Sequence, residues 1–92
     1  MIAIAITPDG KTAYVVNQYR GTVTPIQTAT NTALAPIKVG RLPQTIAITP
    51  DGKTAYVVNT GSGTVTPIRT ATNTALAPVK VGRNPVAIAI TP

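Results

Sequence analysis

The sequence predicts an all-β chain built from a repeated unit of four short antiparallel strands. Three observations carry that expectation. Ala5–Asn17 returns unchanged as Ala47–Asn59, a shift of 42 residues, and Ala89-Ile90-Thr91-Pro92 begins it a third time. Alternating and β-branched stretches are separated by Pro-Asp-Gly, Gly and Thr-Asn turn signals. No segment carries helical periodicity or a capping box.

A chain that repeats at this period is read as units before it is read as one domain. Residues 1–42 and 43–84 differ at nine positions (1, 2, 3, 18, 19, 20, 27, 37 and 42) and match at the other 33, so both must share one backbone design. The expected divisions are unit one at 1–42, unit two at 43–84, and a duplicated first strand at 85–92, the start of a third repeat. Met1 stands where the other copies have Pro43 and Pro85, which suggests an initiator placed on a piece of a longer array.

Ile2–Thr7 alternates large and small apolar residues and stops at Pro8, which suits a strand covered on both faces. Pro8-Asp9-Gly10-Lys11 is a turn with a mechanism: Pro presets φ, Asp accepts backbone N–H groups, and Gly takes the left-handed position. Thr12–Asn17, β-branched and aromatic, is the returning strand of a hairpin. Residues 17–21 form a loop, with 59–63 as its counterpart. Thr22–Ile26 is a third strand, Thr28–Asn31 a polar turn, and Thr32–Val39 a fourth strand ending at Gly40.

Two prolines resist this scheme. Pro36 fits an outermost strand, whose free side needs no donor. Pro25 removes a ladder bond from an interior strand, which requires either a bulge or a strand paired only at its ends.

Tyr14-Val15-Val16-Asn17 and Tyr56-Val57-Val58-Asn59 belong to a longer pattern. It runs Ile-Ala-Ile-Thr-Pro-Asp-Gly-Lys-Thr-Ala-Tyr-Val-Val-Asn, Gly-Thr-Val-Thr-Pro-Ile, Thr-Ala-Thr-Asn-Thr-Ala and Val-Gly-Arg-x-Pro. It resembles the YVTN-type β-propeller repeat along the whole chain. The resemblance implies β-propeller blades of four antiparallel strands around a central channel. The first strand of each blade (Ile2–Thr7, Gln44–Thr49) would be innermost and the fourth (Thr32–Val39, Thr74–Val81) would lie at the rim. It also implies a bacterial or archaeal parent, many such proteins being extracytoplasmic or on the cell surface. One position departs: where the family often has Asp, this chain has Gln27 and Arg69, which puts a turn bond made by that carboxylate in doubt.

Blades bury their apolar faces only against neighbouring blades, and within one chain a single pair of faces meets. Each fully buried Val, Leu or Ile is worth roughly 1.5–3 kcal/mol, so an open face with about five of them forgoes on the order of 10 kcal/mol. That is comparable to the roughly 5–15 kcal/mol holding a whole domain together. The expected remedy is homo-oligomerisation. Closed propellers use about 4–8 blades, so whole chains give an even total, with trimer or tetramer favoured. The surplus strand, with Val86, Ile88 and Ile90 as its large apolar positions, is expected to close the ring by entering the innermost slot of the next chain. If the rotation per chain does not close, the same contact makes a filament.

The chemistry is set by what is missing. The chain has no His, Cys or Glu, and its only carboxylates, Asp9 and Asp51, occupy turn positions in different units. General acid–base work draws on those absent residues or on paired carboxylates, and metal sites need clusters of them. No catalytic, metal or cofactor site is therefore expected, and no enzyme. Ser62 is the sole serine and has no base to activate it. The glycines punctuate strands and do not make a phosphate-binding fingerprint.

Eight Lys and Arg against two Asp give a net charge of +6. The cations are dispersed, without a run or an aromatic ladder, so nucleic acid is not an expected partner. No apolar run approaches the roughly 18 residues of a membrane span, and no signal peptide is recognisable at the N-terminus. In an up-and-down unit, loop 17–21 and the connection at 40–43 share one side. Most differences between the copies fall there, beside Arg20, Arg41 and Arg83, with Lys38 and Lys80 nearby. The plain reading is loop drift and solvated charge. The alternative function is a binding module whose face, with Tyr19 as a contact aromatic, takes an acidic polymer or protein partner at a cell surface.

Overall fold

The computed structural model describes residues 3–91; the expectations for Met1, for Ile2 at the start of the first strand and for Pro92 lie outside the described residues. The chain is all-β. Among the described residues, ten short strands form two antiparallel sheets. The first sheet contains β1 (Ala3–Ile6), β2 (Thr12–Asn17), β3 (Thr22–Gln27), β4 (Thr32–Ala33) and β5 (Ile37–Lys38). The second contains β6 (Pro43–Ile48), β7 (Thr54–Asn59), β8 (Thr64–Arg69), β9 (Thr74–Ala75) and β10 (Val79–Lys80). In each, the first three strands pair in sequence order, and the last two both pair with the third.

The expected fourth strand is thus two pieces. Ile26 and Gln27 pair with Ala33 and Thr32, and Thr22 and Val23 pair with Lys38 and Ile37. Between them, Thr24 and Pro25 face three residues, Leu34, Ala35 and Pro36, so one residue is extra and the rim strand bulges. The prolines are the cause. Neither can donate an N–H, and the remaining bond at the gap runs from Leu34 N–H to the Pro25 carbonyl at 2.8 Å. The second sheet repeats the break, with Leu76 N–H on Pro67 O at 2.8 Å. On the rim side both alternatives left open for Pro25 hold together, a bulge in the rim strand and pairing of β3 at its ends, while β3 pairs with β2 along its whole length.

A second irregularity lies in β6. Pro43 pairs with Asn59 and Thr45 with Val58, leaving Gln44 as an unmatched residue. Residues 85–91 carry no strand. The expected Val86–Thr91 strand has no ladder within the chain, because the hairpin partner that β2 provides for β1 has no third copy here.

Side chains opposite one another across an antiparallel pair lie on the same face, and neighbours along a strand alternate. The registers therefore sort each sheet into two faces. The front face of the first sheet carries Ala3, Ala5, Tyr14, Val16, Val23, Pro25 and Ile37. Its back face carries Ile4, Ile6, Ala13, Val15, Asn17, Thr24 and Ile26.

The core lies where the front of the first sheet meets the back of the second. Tyr14, Val16, Val23 and Ile37 come from one side, and Ile46, Ala55, Val57 and Ile68 from the other. Equivalent positions in the two repeats consequently have opposite fates. Ile46 is 9% exposed while its counterpart Ile4 is 57% exposed, and Ile37 is 7% exposed while its counterpart Val79 is 53% exposed.

Candidate functional site

The joint between the sheets is the most fully built site in the molecule. Tyr14, buried on the front of β2, donates its phenol hydrogen to Asn73 Oδ1 at 2.6 Å. Asn73 sits in the β8–β9 turn with φ of 53°, a left-handed position that Asn tolerates. Burial, and secondarily the charge of Asp9, raises the Tyr14 phenol above its ordinary pKa, so it stays a donor at neutral pH. At the far end of β7, Asn59 is fully buried, and its Nδ2 donates to Thr64 Oγ1 at 3.2 Å and Thr66 Oγ1 at 2.8 Å. Gly40 packs against it so closely that a Cβ there would stand 2.7 Å from Asn59 Cγ.

Loops complete the joint. Thr60 and Gly61 donate their N–H groups to the carbonyls of Leu42 and Arg41 at 3.1 and 3.0 Å. The Arg41 N–H in turn goes to Ser62 Oγ at 2.7 Å. Ser62 thus has a structural role, as the acceptor of the Arg41 N–H.

The equivalents of these groups stand open at the two ends of the chain. Tyr56 and Asn17 are half-buried where Tyr14 and Asn59 are buried, and Asn17 Nδ2 makes to Thr22 and Thr24, at 3.2 and 2.9 Å, the same bonds that Asn59 makes to Thr64 and Thr66. A Cβ on Gly82, the counterpart of Gly40, would meet nothing within 4 Å. The Tyr14–Asn73 bond escaped the sequence reading because its partners lie 59 residues apart.

The loop face gathers part of the predicted set. Tyr19, Arg20 and Arg41 line one groove of about 350 Å³ with Lys38, Leu42 and Ser62. Tyr19 stands 91% exposed. Arg83 is not among them; it lines a separate groove of about 470 Å³ with Lys80, Asn84 and residues 60–63. Val86 is exposed, and Ile88 and Ile90 are half-buried, in the unpaired tail; Thr60 Oγ1 donates to the Pro85 carbonyl at 2.6 Å at its start.

The two carboxylates lie at the opposite end of the sheets, each absorbed in its turn. Asp9 Oδ1 accepts from Thr7 Oγ1 at 2.6 Å and from Lys11 N–H at 2.9 Å, and Asp51 does the same with Thr49 and Lys53. The Thr hydroxyl first, then the backbone N–H, hold both carboxyls below their ordinary pKa. At the departing position, Gln27 is exposed, and the neighbouring Thr28 ties the turns together: its N–H meets Lys11 O at 3.1 Å and its Oγ1 meets Gly10 O at 2.6 Å.

Comparison with solved structures finds this arrangement in β-propeller-type proteins. The hydrazine synthase of Kuenenia stuttgartiensis aligns over 89% of this chain and 23% of its own, at 32% identity and a TM-score of 0.85. A putative 6-phosphogluconolactonase from Bacteroides fragilis aligns over 92% of this chain and 26% of its own, at 26% identity and a TM-score of 0.78. AztD from Citrobacter koseri, in its apo form, aligns over 92% of this chain and 24% of its own; at 14% identity and a TM-score of 0.74 it speaks to the fold alone. The chain spans about a quarter of the length of these structures. No protein-family model and no curated protein matches it.

Proposed function

We propose that the chain is a non-catalytic structural and interaction module, two blades of YVTN type that complete a propeller by docking onto copies of themselves. One observation carries the reading: the repeats bury opposite faces. The front of the first blade is covered by the back of the second, while the second blade's front leaves Val79 and Val81 exposed, although Val58 on it is buried, and the first blade's back leaves Ile4 and Ile6 exposed. The open faces carry nearly the same residues as the closed pair, so the joint inside the chain is a template for a joint between chains. Docking front to back is heterologous, and it grows until the rotation closes. Ile4, Ile6, Val79 and Val81 are each between 51% and 58% exposed. Covering the exposed half of each is worth about 1 kcal/mol.

The same template supplies polar partners. Tyr56 takes Asn31 of the next copy as Tyr14 takes Asn73, and Gly82 receives Asn17 as Gly40 receives Asn59. Asn31 already holds the required left-handed turn, with φ of 54°. The non-catalytic part of the reading rests on chemistry: each of the two Asp ties its Oδ1 into its own turn, and the sequence has no His, Cys or Glu.

Complementary blocking variants test this directly. Ile4→Asp spoils only the open back face and Val79→Asp only the open front face. Each variant alone is expected to be monomeric, and a mixture to give a 1:1 dimer that grows no further. A mixture that stays monomeric, or either variant assembling alone as the parent does, would overturn front-to-back docking.

A further inference from the structure

The joint inside the chain and the proposed joint between copies share one strand pattern, whose innermost slot either Ala87–Ile90 of the tail or the identical Ala3–Ile6 of the next copy fills, but they use different loops. Inside the chain, Arg41-Leu42 meets Thr60-Gly61-Ser62. Between copies, the 42-residue shift sets Arg83-Asn84 against Gln18-Tyr19-Arg20 of the next chain. Two of those replacements change the chemistry. A Cβ on Gly61 would stand 3.0 Å from Arg41 O and 3.2 Å from its carbonyl carbon. Tyr19 brings such a Cβ to the chain-to-chain joint, so the loops there must part by a few tenths of an ångström. Ser62 Oγ accepts the Arg41 N–H at 2.7 Å. Arg20, at the matching place, offers only donors, so the Arg83 N–H loses its acceptor and a second guanidinium arrives in its stead.

The groove waiting at that end is already cationic. Lys80 and Arg83 line it, with the hydroxyls of Thr60 and Ser62 and no carboxylate. Asp9 and Asp51, the only acidic side chains, lie in hairpin turns at the opposite end of the sheets. With Arg20 of the next copy added, three cations and one backbone N–H converge on one space and no anionic side chain balances them.

We propose, resting on the assembly reading above, that this joint is an oxyanion site shared by two copies. A phosphate or sulfate group sits among Lys80 and Arg83 of one chain and Arg20 of the next, and accepts the Arg83 N–H in place of a serine hydroxyl. Planar guanidinium forks suit such oxygens and bind them with charge-assisted bonds. The site is incomplete in a single chain, so anion binding and assembly are linked: the ion binds the joined state and stabilises it by mass action.

The test compares the parent with the Tyr19→Gly/Arg20→Ser variant, whose loop then copies Gly61-Ser62. Association is followed by light scattering in chloride and in inorganic phosphate at equal pH and ionic strength. Phosphate is expected to lower the parent's midpoint concentration for association about tenfold. The variant should associate in chloride about as tightly as the parent does in phosphate. It should keep only the small response expected of a salt that strengthens apolar burial. A short polyphosphate at equal phosphate content identifies the source: an equal response assigns the site to the free ion, a larger one to phosphate groups carried on a polymer. A parent that associates equally in both salts, or a variant that retains the full phosphate response, overturns the proposal while leaving assembly standing. If neither chain associates in either salt, the assembly reading fails and this proposal goes with it.

Discussion

Leu42 holds a φ of 50°, a left-handed conformation that costs a branched L-residue roughly 1–2 kcal/mol. Its counterpart Asn84 has the same φ of 50° with a side chain that tolerates it. Because Leu42 serves the joint through its carbonyl, Leu42→Asn should keep the Thr60 bond and raise stability by about 1 kcal/mol. Chemical denaturation of the two chains reads this, and an unchanged or lower midpoint would refute it. The alignment held this clue: an Asn at one copy and a Leu at the other mark a position whose backbone, not its side chain, is shared. The Asp9 and Asp51 roles were more legible, since Pro-Asp-Gly names its own turn. Their depressed folded pKa fixes a sign. The stabilisation is complete above the ordinary carboxylate value of 3.8 and is lost as pH falls through the lower folded values. Asp9→Asn/Asp51→Asn should therefore flatten the acid limb of the stability–pH profile. A limb of unchanged steepness would show that these turns do not set it.

Strand order and the hairpins follow from local signals, so β1–β3 and β6–β8 lie close to where the residues put them. The rim strands did not. Thr32–Val39, set between a polar turn and Gly40, reads as one strand, and the cost of two missing N–H donors at Pro25 and Pro36 outweighs that reading. The tail lacks a strand within the chain for a different reason: residues 87–90 repeat the sequence of β1, and a strand exists only where a neighbour supplies its ladder. Period-two patterning also showed two apolar faces without showing which face meets which. Tyr14 and Tyr56 separate the outcomes. Tyr14→Phe removes a bond across the joint inside the chain and should cost about 1 kcal/mol in any state of association. Tyr56→Phe should cost nothing in a dissociated chain, and about as much per joint once copies dock, if Asn31 is its acceptor. Measuring unfolding of both variants below and above the association midpoint checks this. A Tyr56→Phe chain indifferent at both concentrations would remove that bond from the account.

At the scale of the molecule, two blades form a body of 37 × 29 × 20 Å with one interior joint and two open faces. The four aliphatic side chains left half in water on those faces are a liability for a monomer and a ready interface for a ring. Their placement was legible in outline, since two repeats cannot cover four faces. The loops that make one joint unlike the other were seen only as scattered differences. Whether the chain works by assembling is the central claim, and native mass measures it most directly, by light scattering behind a sizing column on the unmodified chain in phosphate. The account predicts one discrete species of three or four chains, six or eight blades, with no seven-bladed total possible from whole chains. A sharp, folded monomer at all concentrations would contradict it, because the open faces would then need no cover.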